Sequence, residues 1–170
     1  MGFFRRFIQH RVHDDIRVIS QPSTHGNSTI RYDNTLLDTL HDHHARLGVT
    51  FARIRTEFDQ GHAAETRKLL TQFKSSLQAH VMTENVRFYT YITQLTESDP
   101  ETRRTMFDFR RDMNRISRQV IEFVKKWQSS AFDSVNERQQ FAADYDMIKE
   151  LLAQRFDSEE DHLYPMYVPA

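Results

Sequence analysis

At 170 residues with 38% hydrophobic content, the chain is long enough to bury one core, and its length favours a single domain. A formal charge of −1, from 23 basic and 24 acidic residues, provides no global field for nucleic acid or acidic substrates. There is no cysteine, which excludes disulfides, thiolate sites and iron–sulfur clusters and leaves His, Asp and Glu as the metal ligands to consider.

Residues 1–12, MGFFRRFIQHRV, set Phe3, Phe4, Phe7 and Ile8 among Arg5, Arg6 and Arg11, the pattern of a short basic amphipathic helix. Such a segment is expected to dock on its own domain or on a second copy rather than on a membrane surface. Arg5 and Arg6 break the start before any signal-peptide core develops, and no run approaches the roughly 18 apolar residues of a membrane span, so a soluble, cytoplasmic chain is expected. Residues 19–29, ISQPSTHGNST, read as a polar linker. The domain plan is therefore an N-terminal segment with its linker over 1–32 and a main body over 33–170.

Four helices follow from hydrophobic spacing. The first is predicted over 33–59, where Leu37, Leu40, His44, Leu47, Phe51, Ile54 and Phe58 alternate in threes and fours. His44 takes a core position in that stripe, whereas His43 is expected on a solvated face. The second helix is predicted over 63–95, with Phe73, Leu77, His80, Glu84, Phe88 and Tyr91 on its buried side. Ser98, Pro100 and Glu101 then read as a capping box. The third helix shows a wholly apolar stripe of Met106, Phe109, Met113, Ile116, Val120, Phe123 and Trp127, with an outer face of salt-bridged arginines. The fourth starts after Ser134, paired with Glu137, and carries Phe141, Tyr145, Ile148, Leu152, Arg155 and Glu159 inward up to Pro165. Short polar connections between four such helices predict an all-α, antiparallel up-down-up-down four-helix bundle.

The polar residues on the buried stripes carry the chemistry. A carboxylate removed from water needs a cation, a metal or a network of donors. The unit around His80 returns near the C-terminus: Arg155 stands where His80 stood, Glu159 where Glu84 stood, and Leu163 and Tyr164 where Phe88 and Tyr89 stood. No glycine-rich phosphate loop and no serine-centred nucleophile motif is present, so no enzymatic activity is expected.

With His44 in the first helix, His80-x-x-x-Glu84 followed by Phe88-Tyr89 in the second, and Glu159-Glu160 followed by Leu163-Tyr164-Pro165 in the fourth, residues 36–167 resemble the hemerythrin-like, or HHE cation-binding, family. That resemblance implies a bundle holding a di-iron centre, binding oxygen or sensing redox state and iron, with His44, His80, Glu84 and Glu159 as the metal-ligand positions. Two departures accompany it. Arg155 replaces an expected histidine, and the third helix offers Phe109 and Met113 where two histidines are expected. Arginine cannot ligate a metal, but its fork is shaped to pair with Glu84 and Glu159. His162 is expected near the bundle end rather than in the ligand set. A weaker resemblance links LLDTLHDHHARLGVTFARI, LQAHVMTENVRFYTYI and ELLAQRFDSEED to the Rsd/AlgQ anti-sigma regulators. The expected function is a regulatory or protein-binding module with a degenerate metal site and no bound cofactor. The alternative is a working non-heme iron protein for oxygen, nitric oxide or iron.

Overall fold

The three-and-four spacing of the apolar residues resolves into four long helical rods. The computed structural model describes residues 30–170; the predicted segment 1–12 and the linker 19–29 lie outside the described residues. The first rod is α1, Leu36–Asp59, whose buried stripe begins on Leu36, with Leu37 only half-buried. Gly61 reverses the chain with φ of 80°, a left-handed conformation that costs glycine nothing.

The second rod is continuous but not uniform. It comprises α2, Ala63–Thr83, a π-helical turn at Glu84–Phe88, and α3, Tyr89–Leu95. In the π turn the Tyr89 amide reaches back to the Glu84 carbonyl, five residues earlier, so one residue more than an α-helix allows is accommodated. The third rod, α4, is Pro100–Trp127. Its cap is Asp99 rather than Ser98: the Asp99 carboxylate accepts from the Glu101 and Thr102 amides, and Pro100 fills the first turn.

The fourth rod, α5, is Val135–Ser158, followed by a second π turn at Glu159–Leu163 and a 3₁₀ turn at Tyr164–Met166. Ser134 caps α5 by accepting from the Glu137 amide at 3.1 Å, while the Glu137 carboxylate accepts from the Asp133 amide. In the connection between α4 and α5, Phe132 has φ of 57° yet is buried, stacked on Trp127 and set edge-on against Phe58 and Phe141. A left-handed non-glycine residue costs about 1–2 kcal/mol, and burying a phenylalanine contributes about 1.5–3 kcal/mol, enough to hold it there.

Contacts between rods fix the topology as an antiparallel four-helix bundle. Going along α1, Phe51 meets Phe73 and His44 meets His80, so α1 and α2 run in opposite directions. Likewise Asn85 binds Arg110 while Arg67 reaches Ser130, and Arg138 reaches Phe58 while His44 reaches Glu160. The core divides in two. A larger cluster contains Leu47, Phe51, Phe73, Val120, Phe123, Trp127, Phe141 and Ile148. A smaller one contains Leu36, Leu40, Phe88, Tyr91, Ile92, Leu163 and Tyr167, with the Tyr91 hydroxyl donating to the Val168 carbonyl to pin the C-terminus. Between them lies a layer of buried polar side chains. Phe109, predicted in the core stripe, is half-buried and touches both clusters. Among the described residues no helix is long and apolar enough to cross a membrane.

Candidate metal centre

The layer exists because helical periodicity overrides polarity. His44 lies seven residues before Phe51, and His80 lies three residues after Leu77, so each must enter the core with its stripe. Glu84 and Glu159 each open a π turn, and both turns fall in the repeated unit at the same offset from His80 and Arg155. The structure brings His44, His80, Glu84 and Glu159 together: one donor atom of each lies within 4.8 Å of all the others, and all four are buried. His44 Nε2 stands 3.1 Å from Glu159 Oε2 and 3.2 Å from His80 Nε2, and His80 Nε2 is 3.6 Å from Glu84 Oε2.

Arg155 completes the layer, 1% exposed. Its Nη2 lies 2.5 Å from Glu84 Oε2 and 2.6 Å from Glu159 Oε1, while Nη1 donates to the Met113 carbonyl at 2.7 Å and to Ser117 Oγ at 2.8 Å. One guanidinium thus ties both carboxylates to α4. Tyr164 donates its hydroxyl to Glu84 Oε1 at 3.3 Å and lies 3.2 Å from His44 Nε2. On the outer side His44 Nδ1 sits 2.6 Å from Glu160, which is partly exposed. A carboxylate there orients the imidazole so that Nε2 faces the interior.

Electrostatics follow from the same geometry. Burial disfavours the charged form of His44, but Glu159 and Glu160 outweigh it and raise its pKa. Burial, with His44 and Arg155 nearby, lowers His80 to about 3 and keeps it neutral. Burial and the adjacent Glu159 push Glu84 up to about 7, against the pull of Arg155. For Arg155 itself, burial is outweighed by Glu159 and Glu84, which secure its charge. Arg155 and a protonated His44 therefore set two cationic groups against Glu84 and Glu159.

The donor set distinguishes one ion from two. Four ligands about 2.0–2.2 Å from a single ion stand about 3.4 Å apart in a tetrahedron, close to the His and Glu spacings described above. Both Glu159 oxygens, at ion-pair distance from Arg155 and His44 but off the hydrogen-bond axis, and the Nδ1 of His80 are buried without a hydrogen-bond partner. Such atoms suit one ion. A pair of ions does not fit: α4 presents Met113, Ile116 and Ser117 inward, none a metal ligand in a site of this kind, and a fixed guanidinium lies against both carboxylates.

Several participants escape a reading of the sequence. Ser117 and the Met113 carbonyl receive Arg155 from a helix whose stripe looks wholly apolar; the available signal is that Ser117 lies four residues after Met113, on the same face. Glu160 is visible only as the neighbour of Glu159. Tyr89 buries a hydroxyl with no hydrogen-bond partner, its pKa raised by burial and by Glu84. His43 is half-buried rather than solvated, edge-on to His80 with its Nδ1 buried and unbonded, and His162 stays outside the four-residue set.

No curated protein and no solved structure matches the chain. The likeness to the Rsd/AlgQ regulators therefore rests on the sequence stretches alone. Residues 35–167, the whole bundle and its polar layer, match the model of the hemerythrin HHE cation binding domain. The chain belongs to the hemerythrin-like HHE domain family.

Proposed function

We propose that this hemerythrin-like domain has exchanged a two-metal centre for an internal ion-pair network, and that it serves as a regulatory or protein-binding module rather than as an enzyme or oxygen carrier. The observation that carries this reading is Arg155, whose guanidinium stands 2.5 and 2.6 Å from the two glutamates that would otherwise need a metal for neutralisation. The network performs the structural task of a metal by joining the second, third and fourth rods through one guanidinium, its two carboxylates and its hydrogen bonds to α4. It leaves the surface of the bundle to carry recognition.

A second reading is favoured by the four-atom donor set and by the Glu160 carboxylate that orients His44: a single-ion site, filled by iron or another divalent metal, for sensing the metal, oxygen or nitric oxide. The residues that would hold it are His44, His80, Glu84 and Glu159, and the ion would supply Lewis-acid or redox chemistry there. Metal analysis of protein purified without chelators, with visible absorption and thermal melting before and after iron addition, tests the two. Substoichiometric metal and a melting temperature indifferent to iron support the first; about one iron per chain, with melting raised by it, overturns the first and establishes the second. Two irons per chain refute both.

A further inference from the structure

We propose that the groove between α4 and α5 docks a partner protein through an acidic amphipathic helix. This names the surface and partner chemistry for the protein-binding reading above and rests on it. The groove has a volume of about 520 Å³ and is open to solvent, with Phe123, Ile148 and Met147 as its apolar lining and Arg115 and Arg118 among its charged lining. Met147 is 57% exposed, although it lies beside buried Ile148.

Charge selects the occupant. Between Pro100 and Trp127 the chain places eight Lys or Arg and four Asp or Glu, although the whole chain is slightly acidic. The other cations at the groove end of α4 are engaged: Arg111 with Asp108, Lys125 with Glu122, and Lys126 with Asp144. Arg115 and Arg118 have no ion-pair or hydrogen-bond partner among the described residues. They stand three apart on one helix face, where like charges repel and an acidic side chain between them relieves the repulsion. The acidic side chains of the groove, Glu122 and Asp144, are already paired, so they do not oppose an incoming carboxylate. Two parallel ridges of helix with an apolar floor accept the apolar face of a third helix. A nucleic-acid strand has no use for that floor and needs a longer row of cations.

The test uses a fluorescein-labelled 20-residue helical peptide with leucines along one face and glutamates flanking them, and a second peptide with lysines for the glutamates. The full chain should bind the Leu/Glu peptide saturably, at least tenfold tighter than the Leu/Lys peptide, with affinity falling as salt rises. R115E/R118E and, separately, M147D should each weaken binding tenfold or more while far-UV circular dichroism and melting stay unchanged. Equal binding of the two peptides, no binding, retained binding in R115E/R118E, or tighter binding of a single-stranded 20-nucleotide DNA would overturn the proposal. Metal content measured on the same sample judges the ion-pair reading separately, since none of these variants touches the polar layer.

Discussion

Replacing Arg155 by leucine removes the fixed positive charge of the polar layer and leaves the helices otherwise intact. Two carboxylates, Glu84 at 1% exposure and Glu159 at 0%, then face each other without the guanidinium, with His44 beside Glu159 as the remaining cationic group, and the Met113 carbonyl and Ser117 Oγ lose their donor. Breaking a buried ion pair by deleting one partner costs about 3–5 kcal/mol. The loss must depend on pH. Glu84 already titrates near 7 in the presence of Arg155, and removing the guanidinium raises it further, so below neutrality the carboxylate escapes by taking up a proton. Each pH unit of that escape is worth about 1.4 kcal/mol. Urea unfolding followed by fluorescence of Trp127, the only tryptophan, should therefore show a larger loss at pH 8 than at pH 5.5, by about 1 kcal/mol, because below about 7 the wild-type Glu84 takes up a proton too. Adding E84Q and E159Q to R155L should restore much of the stability at pH 8, because no charge then remains unpaired. A loss under about 1 kcal/mol at both pH values would refute the argument and mean that the carboxylates are neutralised by something other than Arg155.

Three further outcomes follow from other parts of the structure. His44 has a raised pKa in the fold, so its protonation stabilises the native state fully below the unfolded value near 6.5 and this contribution fades as pH rises through the higher folded value; urea midpoints of H44Q should lack that decline. Burial works against the Asp144 carboxylate, but hydrogen bonds from Lys126, Gln140 and Trp127 hold its pKa below the usual range, so its stabilisation is present above the unfolded value near 3.8 and lost as pH falls through the folded one. In D144A the acid limb of the stability profile should flatten, with a shift in Trp127 emission, because the indole N–H loses an acceptor at 2.9 Å. Removing the α5 cap with S134A should cost about 1 kcal/mol in thermal or urea unfolding.

Much of the bundle was legible because buried helical stripes repeat on a fixed period and each ends in recognisable turn chemistry. His44, His80, Glu84, Arg155 and Glu159 were legible for a related reason: each interrupts a stripe at a position that must be buried, and an interruption of that kind has to be satisfied by another. Arg155 stands at ion-pair distance from both glutamates, the pairing that its charge and its fork shape suggest. Other features left no such trace. A backbone carbonyl, as at Met113, has no letter of its own, and Ser117 passes for a tolerated small residue in an apolar helix. The cap at Asp99 was displaced by one residue because Ser98 and Glu101 fit the capping-box spacing equally well, and only the backbone geometry decides between them. The buried Phe132 with positive φ was not foreseeable, since left-handed backbone is expected at glycine or asparagine.

The two π turns set the phase of everything that follows them. An α-helix advances about 100° per residue, so one extra residue held in a π turn rotates the downstream face by about that angle relative to an uninterrupted helix. Upstream of each turn the inward positions are His80 or Arg155; downstream they are Phe88, Tyr91 and Ile92 or Leu163 and Tyr164. Excising a single residue such as Asn85 would let that turn relax to α-helical geometry, and Ile92 and Leu95 would keep their place in the smaller core cluster. The two π turns thus hold slack that ordinary helical turns lack: a one-residue deletion inside them preserves the downstream face, whereas a deletion in the regular stretch between turn and core would rotate that face by about 100°.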